Sequence, residues 1–511
     1  MKYEDYEPFC NSELQRQMLK SYIETGSSEL AAKLIGKDPG NIRREIRVIK
    51  ARYDSQLGPQ VDESPAVSIQ TVKRFVVTSA QNATKVHAGF LASLKSYCAE
   101  NDAQLLVIPM RYRNPTSRDE TPDDWWDSKL TAHLVGQRVE IVPGLVVMGD
   151  IKIQPTAVDP LSGLHTITGS KCGIFGHTKI AMESVPTPGT KLPKLLYTTG
   201  SITQRNYSDS KAGKKGEFHH VYGAVIVEAD GEVFHIRQIN AQSNGAFIDL
   251  DRKYTPNGSE PAGNPAGLIL GDLHAVRADP ANLDSVHAMI DTLQPRRIVL
   301  HDALDFESAS HHNDYFKRFL LSQMGKSNVM AELRQTCEVI DALAAKAKTY
   351  IVSSNHDEHL YKWLERNENG LDIENALIYH QLKAEMLQAI VDTKAIPEPL
   401  EIVCRKFVKA KVDFIRYGGL QIHGIELGYH GDKGPNGARG SANNFDRIGV
   451  KTVIGHSHTP RIVGGCYQTG TSSLLDMGYN KGPSSWLHSH VLIYADGKRT
   501  HIHVIDGRWR A

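Results

Sequence analysis

The sequence lacks paired cysteines and long apolar runs. Its 511 residues include six cysteines, and none of them forms a Cys-x-x-Cys pair. This scatter argues against a zinc ribbon and against a disulfide scaffold, and it suits a reducing compartment. No run of about 18 apolar residues occurs, and the first residues lack the apolar core of a signal peptide. We therefore expect a soluble cytoplasmic protein that does not contact a membrane.

The sequence also lacks a strong excess of charge of either sign. The net charge is +1 at pH 7, so the overall composition does not indicate a nucleic-acid partner, and any basic surface must be local. The hydrophobic and charged fractions are ordinary for a globular protein. A chain of this length accommodates two or three domains with a sizeable core.

Residues 1–55 form a unit that differs in pattern from the remainder of the chain. Helical spacing predicts three helices over residues 12–24, 29–35 and 41–53, with a tight turn over 37–40. The last helix is basic, with Arg43, Arg44, Arg47 and Lys50 outside its apolar side. This pattern is typical of a helix-turn-helix module that contacts DNA. A small helical bundle for self-association explains it equally well. Residues 56–73, with their Gly-Pro and Ser-Pro pairs, are expected to form a linker.

From residue 74 onward the pattern becomes α/β, and one order of landmarks occurs twice. Strands predicted over 75–78 and 105–108 flank a helix over 86–101, and strands over 268–270 and 297–300 flank a helix over 281–293. Gly-His motifs at 176–179 and 455–458 are each followed by Thr-Gly and Asp-Gly pairs. We therefore predict two related α/β units, 74–265 and 266–511. Chance similarity between βαβ segments is the alternative explanation.

The second unit carries metal-ligating residue types directly behind apolar runs. These are Asp272, His274, Asp302, Asn355, His430, His456 and His458. Carboxylate and amide oxygens with imidazole nitrogens can hold two divalent ions, provided that one carboxylate bridges them. Asp302 is the natural bridge, because it follows the strand next to that of Asp272. The first unit has Gln81-Asn82 in place of the first ligands and Lys179 in place of His458, so it is interpreted as a degenerate copy without metal ligands.

These motifs resemble those of the calcineurin-like metallophosphoesterase superfamily over roughly residues 267–510. The matching motifs are Asp272-x-His274, Asp302-x-x-Asp305, Asn355-His356-Asp357, His430-Gly431 and Gly455-His456-x-His458. The chain departs from the pattern at His301 and Ser354, where the superfamily usually has glycine, but neither change removes a ligand. His423-Gly424 also resembles the isolated His-Gly motif. We favour His430, because a strand predicted over 425–429 would deliver it.

The resemblance implies both a fold and a chemistry. The fold would be a metallophosphoesterase-type β-sandwich flanked by helices. The cofactor would be two divalent ions, commonly Mn²⁺ in the nuclease branch, with Mg²⁺ or another divalent ion as the alternative. Hydroxide held by the two ions would attack phosphorus in line. His356 would protonate the leaving oxygen, and Asp305 would orient its imidazole. A helix cap is the other interpretation of Asp305.

The ligand set does not separate nucleases from other phosphoesterases, but three features favour DNA as the partner. They are the helix-turn-helix-like module, a basic loop with Lys211, Lys214 and Lys215, and the large accessory unit. A glycine-rich loop over 431–441, with Lys433 and Arg439, would follow the phosphate backbone. The closest resemblance is to SbcD-type DNA repair nucleases and to DNA-degrading nucleases made early by some bacteriophages. In the phage case the protein would act in the host cytoplasm.

Two other functions fit the motifs. One is a phosphatase or phosphodiesterase that acts on nucleotides or phosphoproteins. The other is a non-enzymatic, DNA-binding regulator. Because SbcD-type enzymes are commonly dimeric, the resemblance also implies a homo-oligomer. The sequence contains no recognisable ATPase segment, so an ATP-driven protein partner would be a separate chain. Both exonucleases and endonucleases share these motifs.

Overall fold

The computed structural model describes residues 2–57, 72–112, 123–188, 192–231, 233–366 and 373–511. The chain divides into two compact units, Met1–Ala66 and Val67–Ala511. The predicted linker over 56–73 lies almost wholly outside the described residues. No described helix is both long enough and apolar enough to span a bilayer.

The first unit is helical. Its helices are α1 (Tyr3–Tyr6), α2 (Glu13–Thr25), α3 (Ser28–Ile35) and α4 (Pro39–Leu57). Ser12 and Ser27 cap α2 and α3 by accepting backbone N–H groups in their first turns. The last helix begins at Pro39, earlier than predicted, because Asp38 Oδ1 accepts the N–H groups of the next turn. The short α1 was not predicted. The core of the unit is formed by Met18, Leu19, Ala31, Ala32, Ile42, Ile46 and Ile49.

The second unit is mixed α/β, as predicted. Its first half contains α5 (Ala88–Asn101), α6 (Lys211–His219) and the strands β1 (Arg74–Gln81), β2 (Ala103–Met110), β3 (Arg138–Val142), β4 (Leu145–Met148), β5 (Cys172–Phe175), β6 (Met182–Val185), β7 (Lys194–Thr198), β8 (Gly223–Asp230), β9 (Val233–Asn240), β10 (Phe247–Asp249), β11 (Arg252–Thr255) and β12 (Gly258–Pro261).

The second half contains more helices. They are α7 (Pro280–Leu293), α8 (Tyr315–Gln323), α9 (Val329–Ala344), α10 (Asp357–Glu365), α11 (Ile373–Thr393), α12 (Pro399–Phe407) and α13 (Ala442–Asp446). Its strands are β13 (Gly267–Ile269), β14 (Arg297–Leu300), β15 (Lys348–Val352), β16 (Val412–Ile415), β17 (Gln421–Ile422), β18 (Ile425–Glu426), β19 (Lys451–Ile454), β20 (Arg461–Val463), β21 (Cys466–Gln468), β22 (Ser489–Ile493) and β23 (Arg499–His503).

The strands of the second unit form sheets with a repeated order. A four-stranded sheet has the order β2-β1-β8-β9. Part of a six-stranded sheet repeats this order with the strands β14-β13-β22-β23. In both, the first pair is parallel and the next two are antiparallel. The six-stranded sheet adds β15 and β16, both parallel, beyond β14. A separate three-stranded sheet contains β10, β11 and β12.

A ten-stranded sheet joins the two halves. It runs β17-β18-β19-β21-β20 and then β6-β7-β5-β4-β3. The halves meet where β20 pairs antiparallel with β6, placing Ile462 opposite Met182. On both sides of this junction, strands of corresponding order pair in the same directions. The halves therefore share one continuous sheet within one compact unit. Their origin by duplication stays a prediction.

The unit is layered. One apolar core lies between the ten-stranded sheet and the four- and six-stranded sheets, and it includes Val77, Val225, Ile174, Tyr197, Ile269, Val299, Val453 and Val491. A second core lies between the six-stranded sheet and the helices of the second half. Because β13, β14 and β15 are parallel, their carboxyl ends lie at one edge of the sheet, where an α/β fold usually presents its chemical groups.

Candidate metal centre

The predicted ligands of the second half meet in one buried cluster. Asp272 and His274 follow β13, Asp302 follows β14, and Asn355 follows β15. His430 follows β18, and His456 and His458 follow β19. Neighbouring strands thus deliver these side chains to the same place, as the sequence analysis expects.

Asp302 lies at the middle of the cluster. Its Oδ2 is 3.2 Å from His430 Nε2 and 3.6 Å from His274 Nε2. Two sets of ligand atoms share this residue, one with Asp272 and His430 and the other with His274 and His458. A carboxylate that belongs to two neighbouring ligand sets is the group needed to bridge two cations.

The outer ligands complete the two sets. Asn355 Oδ1 lies 3.1 Å from His430 Nε2 and 3.0 Å from His456 Nδ1. On the other side, His458 Nε2 lies 3.0 Å from His274 Nε2 and 3.3 Å from an oxygen of Asp272. Oxygen and imidazole donors of this kind suit divalent first-row metals.

Several buried polar atoms of the cluster lack a hydrogen-bond partner. They include both carboxylate oxygens of Asp272, Oδ1 of Asp302, and Nδ1 of His430 and of His458. An unsatisfied buried polar atom costs about 1–3 kcal/mol, and more when it is charged. Such a concentration of unsatisfied atoms is unfavourable by itself, but cations could satisfy the carboxylates. The residues present therefore fit a metal centre.

The pKa values of Asp272 and His430 also indicate that the cluster fits a metal centre. Burial raises the pKa of Asp272 to about 8, and the neighbouring Asp302 adds to the rise. Burial lowers the pKa of His430, but the charges of Asp302 and Asp272 outweigh it and raise that pKa to about 9. Without cations, the cluster thus retains protons near neutral pH. Metal ions would compete with those protons for the same lone pairs.

The backbone of the cluster adopts a conformation that is rare for non-glycine residues. The φ angles are 42° at His274, 43° at Asp302, 77° at His456 and 58° at His458. A left-handed conformation at a residue with a Cβ costs on the order of 1–3 kcal/mol. Such strain persists only where the surrounding structure imposes it, and it concentrates at functional sites.

Glycine is required at two turns of the cluster. A Cβ at Gly271 would lie 2.8 Å from the backbone of Gly470 and Thr471. A Cβ at Gly455 would collide with the carboxylate of Asp272. The two Gly-containing motifs that flank the centre therefore pack directly against its parts.

His356 lies beside the cluster and contacts Asp305. Its Nδ1 is 3.4 Å from Asp305 Oδ1 and 3.3 Å from the backbone oxygen of Asp305. Burial lowers the pKa of His356, but Asp302 and Asp305 outweigh this effect and raise the pKa to about 10. The same Asp305 oxygen lies 2.9 Å from His274 Nδ1. Asp305 thus holds two imidazoles, and no described helix is capped by it.

Two further residues position the centre, of which the sequence predicts Asp357 only as part of the Asn355-His356-Asp357 motif or as a helix cap and does not predict Trp486. Asp357 accepts the N–H of Leu304 at 3.1 Å and the hydroxyl of Ser354 at 2.9 Å, so it ties the loop after β14 to the start of α10. Trp486 packs its ring against His458, with centroids 4.2 Å apart. The adjacency of Asp357 to Asn355-His356 was a usable signal, whereas nothing local marks Trp486.

The structure separates the two candidate His-Gly motifs. His430 is 2% exposed and belongs to the cluster. His423 is exposed at the turn between β17 and β18. The strand that precedes His430 is Ile425–Glu426, shorter than expected.

The basic residues predicted to contact DNA lie in different settings. Arg43, Arg44, Arg47 and Lys50 are exposed on α4. Arg439 and Lys433 are both exposed, and Lys433 also forms an ion pair with Glu358 and donates to the hydroxyl of Tyr417. The prediction of a basic loop over 211–215 was wrong. These residues begin α6, because Ser210 accepts the N–H of Gly213 and caps a helix there.

The first half presents no comparable centre among the residues that the structure describes. Asn82 accepts the N–H of Tyr112, and Lys179 donates to the backbone oxygen of Val158. The two nitrogens of His177 contact the backbone at Lys179 and Gln154. Asn82, His177 and Lys179 thus bond to nearby protein atoms, whereas both polar atoms of the buried Gln81 side chain lack a hydrogen-bond partner.

Fold and site together define a layered α/β protein with a buried histidine–carboxylate centre that could bind metal. No protein-family profile matches the chain. Over 463 residues it is 37% identical to Protein A1 of Escherichia phage T5, a match that covers 86% of this chain and 83% of that protein. The chain therefore belongs to the family of phage T5 Protein A1. A solved structure, Vps29 of Chaetomium thermophilum, matches 35% of this chain and 94% of its own at 10% identity, with a TM-score of 0.22. This score is too low to bear on the fold.

Proposed function

We propose that the protein is a metal-dependent DNA nuclease of the calcineurin-like metallophosphoesterase superfamily, most similar to the SbcD-type enzymes. The observation that carries the proposal is the position of Asp302 between two ligand sets at the ends of neighbouring strands. The second half would then be a metallophosphoesterase-type β-sandwich flanked by helices. The first half would be its degenerate relative.

The ligands would hold two divalent ions, which we propose to be Mn²⁺. His274 and His458 would hold one ion, Asn355, His430 and His456 would hold the other, and Asp302 would contact both. Asp272 lies between the two groups, 3.3 Å from His458 Nε2 and 4.0 Å from His430 Nδ1, and we assign it to the ion of His274 and His458. When bound, such ions polarise the phosphoryl oxygens and lower the pKa of a water molecule toward neutrality. The chain itself fixes the separation and orientation of the ligands through the strained turns that carry them.

His356 would supply the proton for the leaving oxygen. It stands next to Asn355 and outside the two ligand sets that share Asp302, although it forms a third group with His274 and Asp305. Its side chain is 20% exposed, so the imidazole could face a substrate. Cations at the centre would offset the charge of Asp302. Asp305 would then be the carboxylate that keeps the imidazole protonated, because its Oδ1 lies 3.4 Å from His356 Nδ1. The same contact orients the ring.

DNA as the substrate is supported by the first unit. It is compact, it leaves Arg44, Arg47 and Lys50 exposed on α4, and small-molecule hydrolysis does not require it. Basic side chains along one helix are suited to contacts with successive phosphates. A nucleotide phosphatase or phosphodiesterase would use the same centre, so the experiment must separate the two substrate classes.

The test compares the wild-type protein with Asp302→Ala in the presence of Mn²⁺. Linear DNA, a chromogenic phosphodiester and a chromogenic phosphomonoester are incubated in parallel. We expect DNA cleavage by the wild type and a loss of at least about 10³-fold in Asp302→Ala, because one lost carboxylate weakens both ligand sets. Asp392→Ala, which removes an exposed carboxylate on α11, is the control and should cleave like the wild type.

The outcomes distinguish the alternatives. Hydrolysis of the small esters with intact DNA would replace the nuclease proposal by a small-molecule phosphoesterase. DNA binding without hydrolysis of any substrate would favour a regulator. Equal cleavage by wild type and Asp302→Ala would show that the centre described above is not the catalytic one.

A further inference from the structure

A second histidine cluster lies beside the candidate centre and none of the proposed ligands belongs to it. It consists of His311 and His312, in the loop before α8, and His359, on α10. One ring nitrogen from each residue lies within 4.8 Å of the other two. The ring centroids of His311 and His312 are 5.0 Å and 5.4 Å from that of His359. The three imidazoles therefore converge on one point.

A buried nitrogen in this cluster has no partner. His359 is 8% exposed, and its Nδ1 makes no hydrogen bond. Such an atom loses its hydration without compensation, which costs about 1–3 kcal/mol. The two other rings are exposed, so the cluster is open to ions from solvent. A ligand that accepts the lone pair of His359 would remove the penalty.

Tertiary contacts fix the loop that carries the two exposed rings. Glu332, on α9, accepts the N–H groups of Glu307 and Ser308 at 2.9 Å and 2.8 Å. Asn313 donates to the backbone oxygen of Glu307 at 2.7 Å, and Asp314 caps α8. The loop is therefore held at both ends against helices, and the convergence of the rings is part of the folded structure.

The surroundings of His359 and His311 favour the neutral imidazole that a metal requires. Burial lowers the pKa of His359 to about 3, and His356, His311 and His312 lower it further. Burial also lowers the pKa of His311. Neutral imidazoles have a free lone pair at neutral pH, and His is the commonest metal ligand.

We propose that His311, His312 and His359 form a binding site for a third divalent ion of the zinc class. Three imidazoles with no carboxylate among them favour Zn²⁺, Ni²⁺, Cu²⁺ or Co²⁺ over Mn²⁺ and Mg²⁺. A fourth position is left for water or for a substrate oxygen. A zinc ion holds imidazole nitrogens at about 2.0–2.1 Å, and rotation of the two exposed rings closes the cluster around it.

The site would adjoin the candidate centre through His356. The ring centroid of His356 is 4.9 Å from that of His359 and 4.6 Å from that of His274. A row of imidazoles therefore leads from the buried centre to the surface. The proposal itself does not depend on nuclease activity, because it concerns only ion binding.

The experiment counts bound ions. Zn²⁺ bound per chain is measured by equilibrium dialysis and elemental analysis for wild type, His312→Ala, His359→Ala and His380→Ala. His380 is an exposed histidine on α11 and serves as the matched control. We expect His312→Ala and His359→Ala to bind one Zn²⁺ fewer than the wild type, and His380→Ala to bind the same number. The visible spectrum of the Co²⁺-loaded protein should lose the component of a three-imidazole site in the same two variants.

Any result in which His312→Ala binds as much Zn²⁺ as the wild type would overturn the proposal. An equal loss in His380→Ala would do so as well, because it would indicate non-specific binding. Should His359→Ala fail to fold, His312→Ala decides the outcome, since its side chain is exposed and its replacement leaves the core intact. Loss of ions from the main centre would lower the count in every variant alike, and the difference between variants would remain.

Discussion

At the scale of single residues, the most informative group is Asp305. One of its oxygens contacts both His274 and His356, so it joins a ligand to the proposed proton donor. The sequence resemblance links Asp305 only to His356. The contact with His274 forms at a residue in the left-handed conformation, which residue spacing does not reveal.

Asp305→Asn should shift the pH dependence of hydrolysis. A carboxylate favours the protonated form of a nearby imidazole, so its loss lowers the pKa of His356. If His356 acts as an acid, the rate falls as it loses its proton, and the alkaline limb of kcat should therefore move to lower pH. The measurement is a pH–rate profile in saturating Mn²⁺, with the control Asp392→Ala. An unchanged alkaline limb would contradict the assignment of His356 as the acid.

That the candidate ligand residues lie together was predictable from the sequence, and the reason is physical. Each polar residue follows an apolar run that becomes a buried strand, and parallel strands end at one edge of a sheet. Asp272, Asp302 and Asn355 accordingly lie together. Trp486 could not be predicted as a neighbour of His458, because the contact depends on how a long loop folds back over the centre.

At the scale of elements, the bounds of strands and helices were easier to predict than the pairing of strands into sheets. The strand Arg297–Leu300 and the helix Pro280–Leu293 lie within a residue of their predicted bounds. The ten-stranded sheet was not predicted, because β6 and β20 pair over a long sequence separation. Nothing in either strand alone identifies its partner.

A buried charge network fixes several strands of the first half. Arg237 on β9 donates to both oxygens of Asp249, at 2.7 Å and 2.9 Å, and to Glu228 on β8 at 3.0 Å. Its side chain is 2% exposed. Removing one partner from such a network leaves an uncompensated buried charge, which costs about 3–5 kcal/mol. Arg237→Met should lower the free energy of unfolding by about that amount.

The loss of unfolding free energy in Arg237→Met should be smaller at low pH. Burial raises the pKa of Glu228, but Arg237 outweighs it and lowers the pKa to about 2. The stabilisation from this carboxylate is therefore complete above about pH 4.5 and decreases as the pH falls toward 2. Urea unfolding at pH 6 and pH 3.5 should show a smaller difference between wild type and Arg237→Met at the lower pH. Arg508→Ala breaks an exposed ion pair that also lowers the pKa of Asp230, and its effect on stability should be much smaller at both pH values, because solvent screens the pair. If Arg237→Met lowers the free energy of unfolding equally at both pH values, the ion pair between Arg237 and Glu228 does not stabilise the protein as described.

At the scale of the whole molecule, the centre should couple metal binding to folding. Its ligands come from strands across the second half, so a cation binds the native state and not the unfolded chain. At a metal concentration of 100 times Kd, one site adds about 2.7 kcal/mol to the free energy of unfolding. Thermal unfolding should therefore shift upward with Mn²⁺ in the wild type and in Asp392→Ala, but not in Asp302→Ala. An equal shift in all three would indicate that the ions bind elsewhere.

The two compact units permit a separate test of DNA binding. Replacing Arg44, Arg47 and Lys50 by glutamine removes three exposed charges from α4, whereas replacing Lys20, Lys33 and Lys37 removes three exposed charges from elsewhere in the first unit. Each phosphate contact contributes about 0.9 to the slope of log K against log salt for duplex DNA. The α4 variant should therefore bind linear DNA more weakly and with a slope smaller by about 2–3. It should still hydrolyse the small phosphodiester like the wild type. The lysine variant controls for the change in net charge and should keep most of the slope. If both variants lose affinity and slope equally, α4 is not the surface that contacts DNA, and the first unit is better explained as a bundle for self-association.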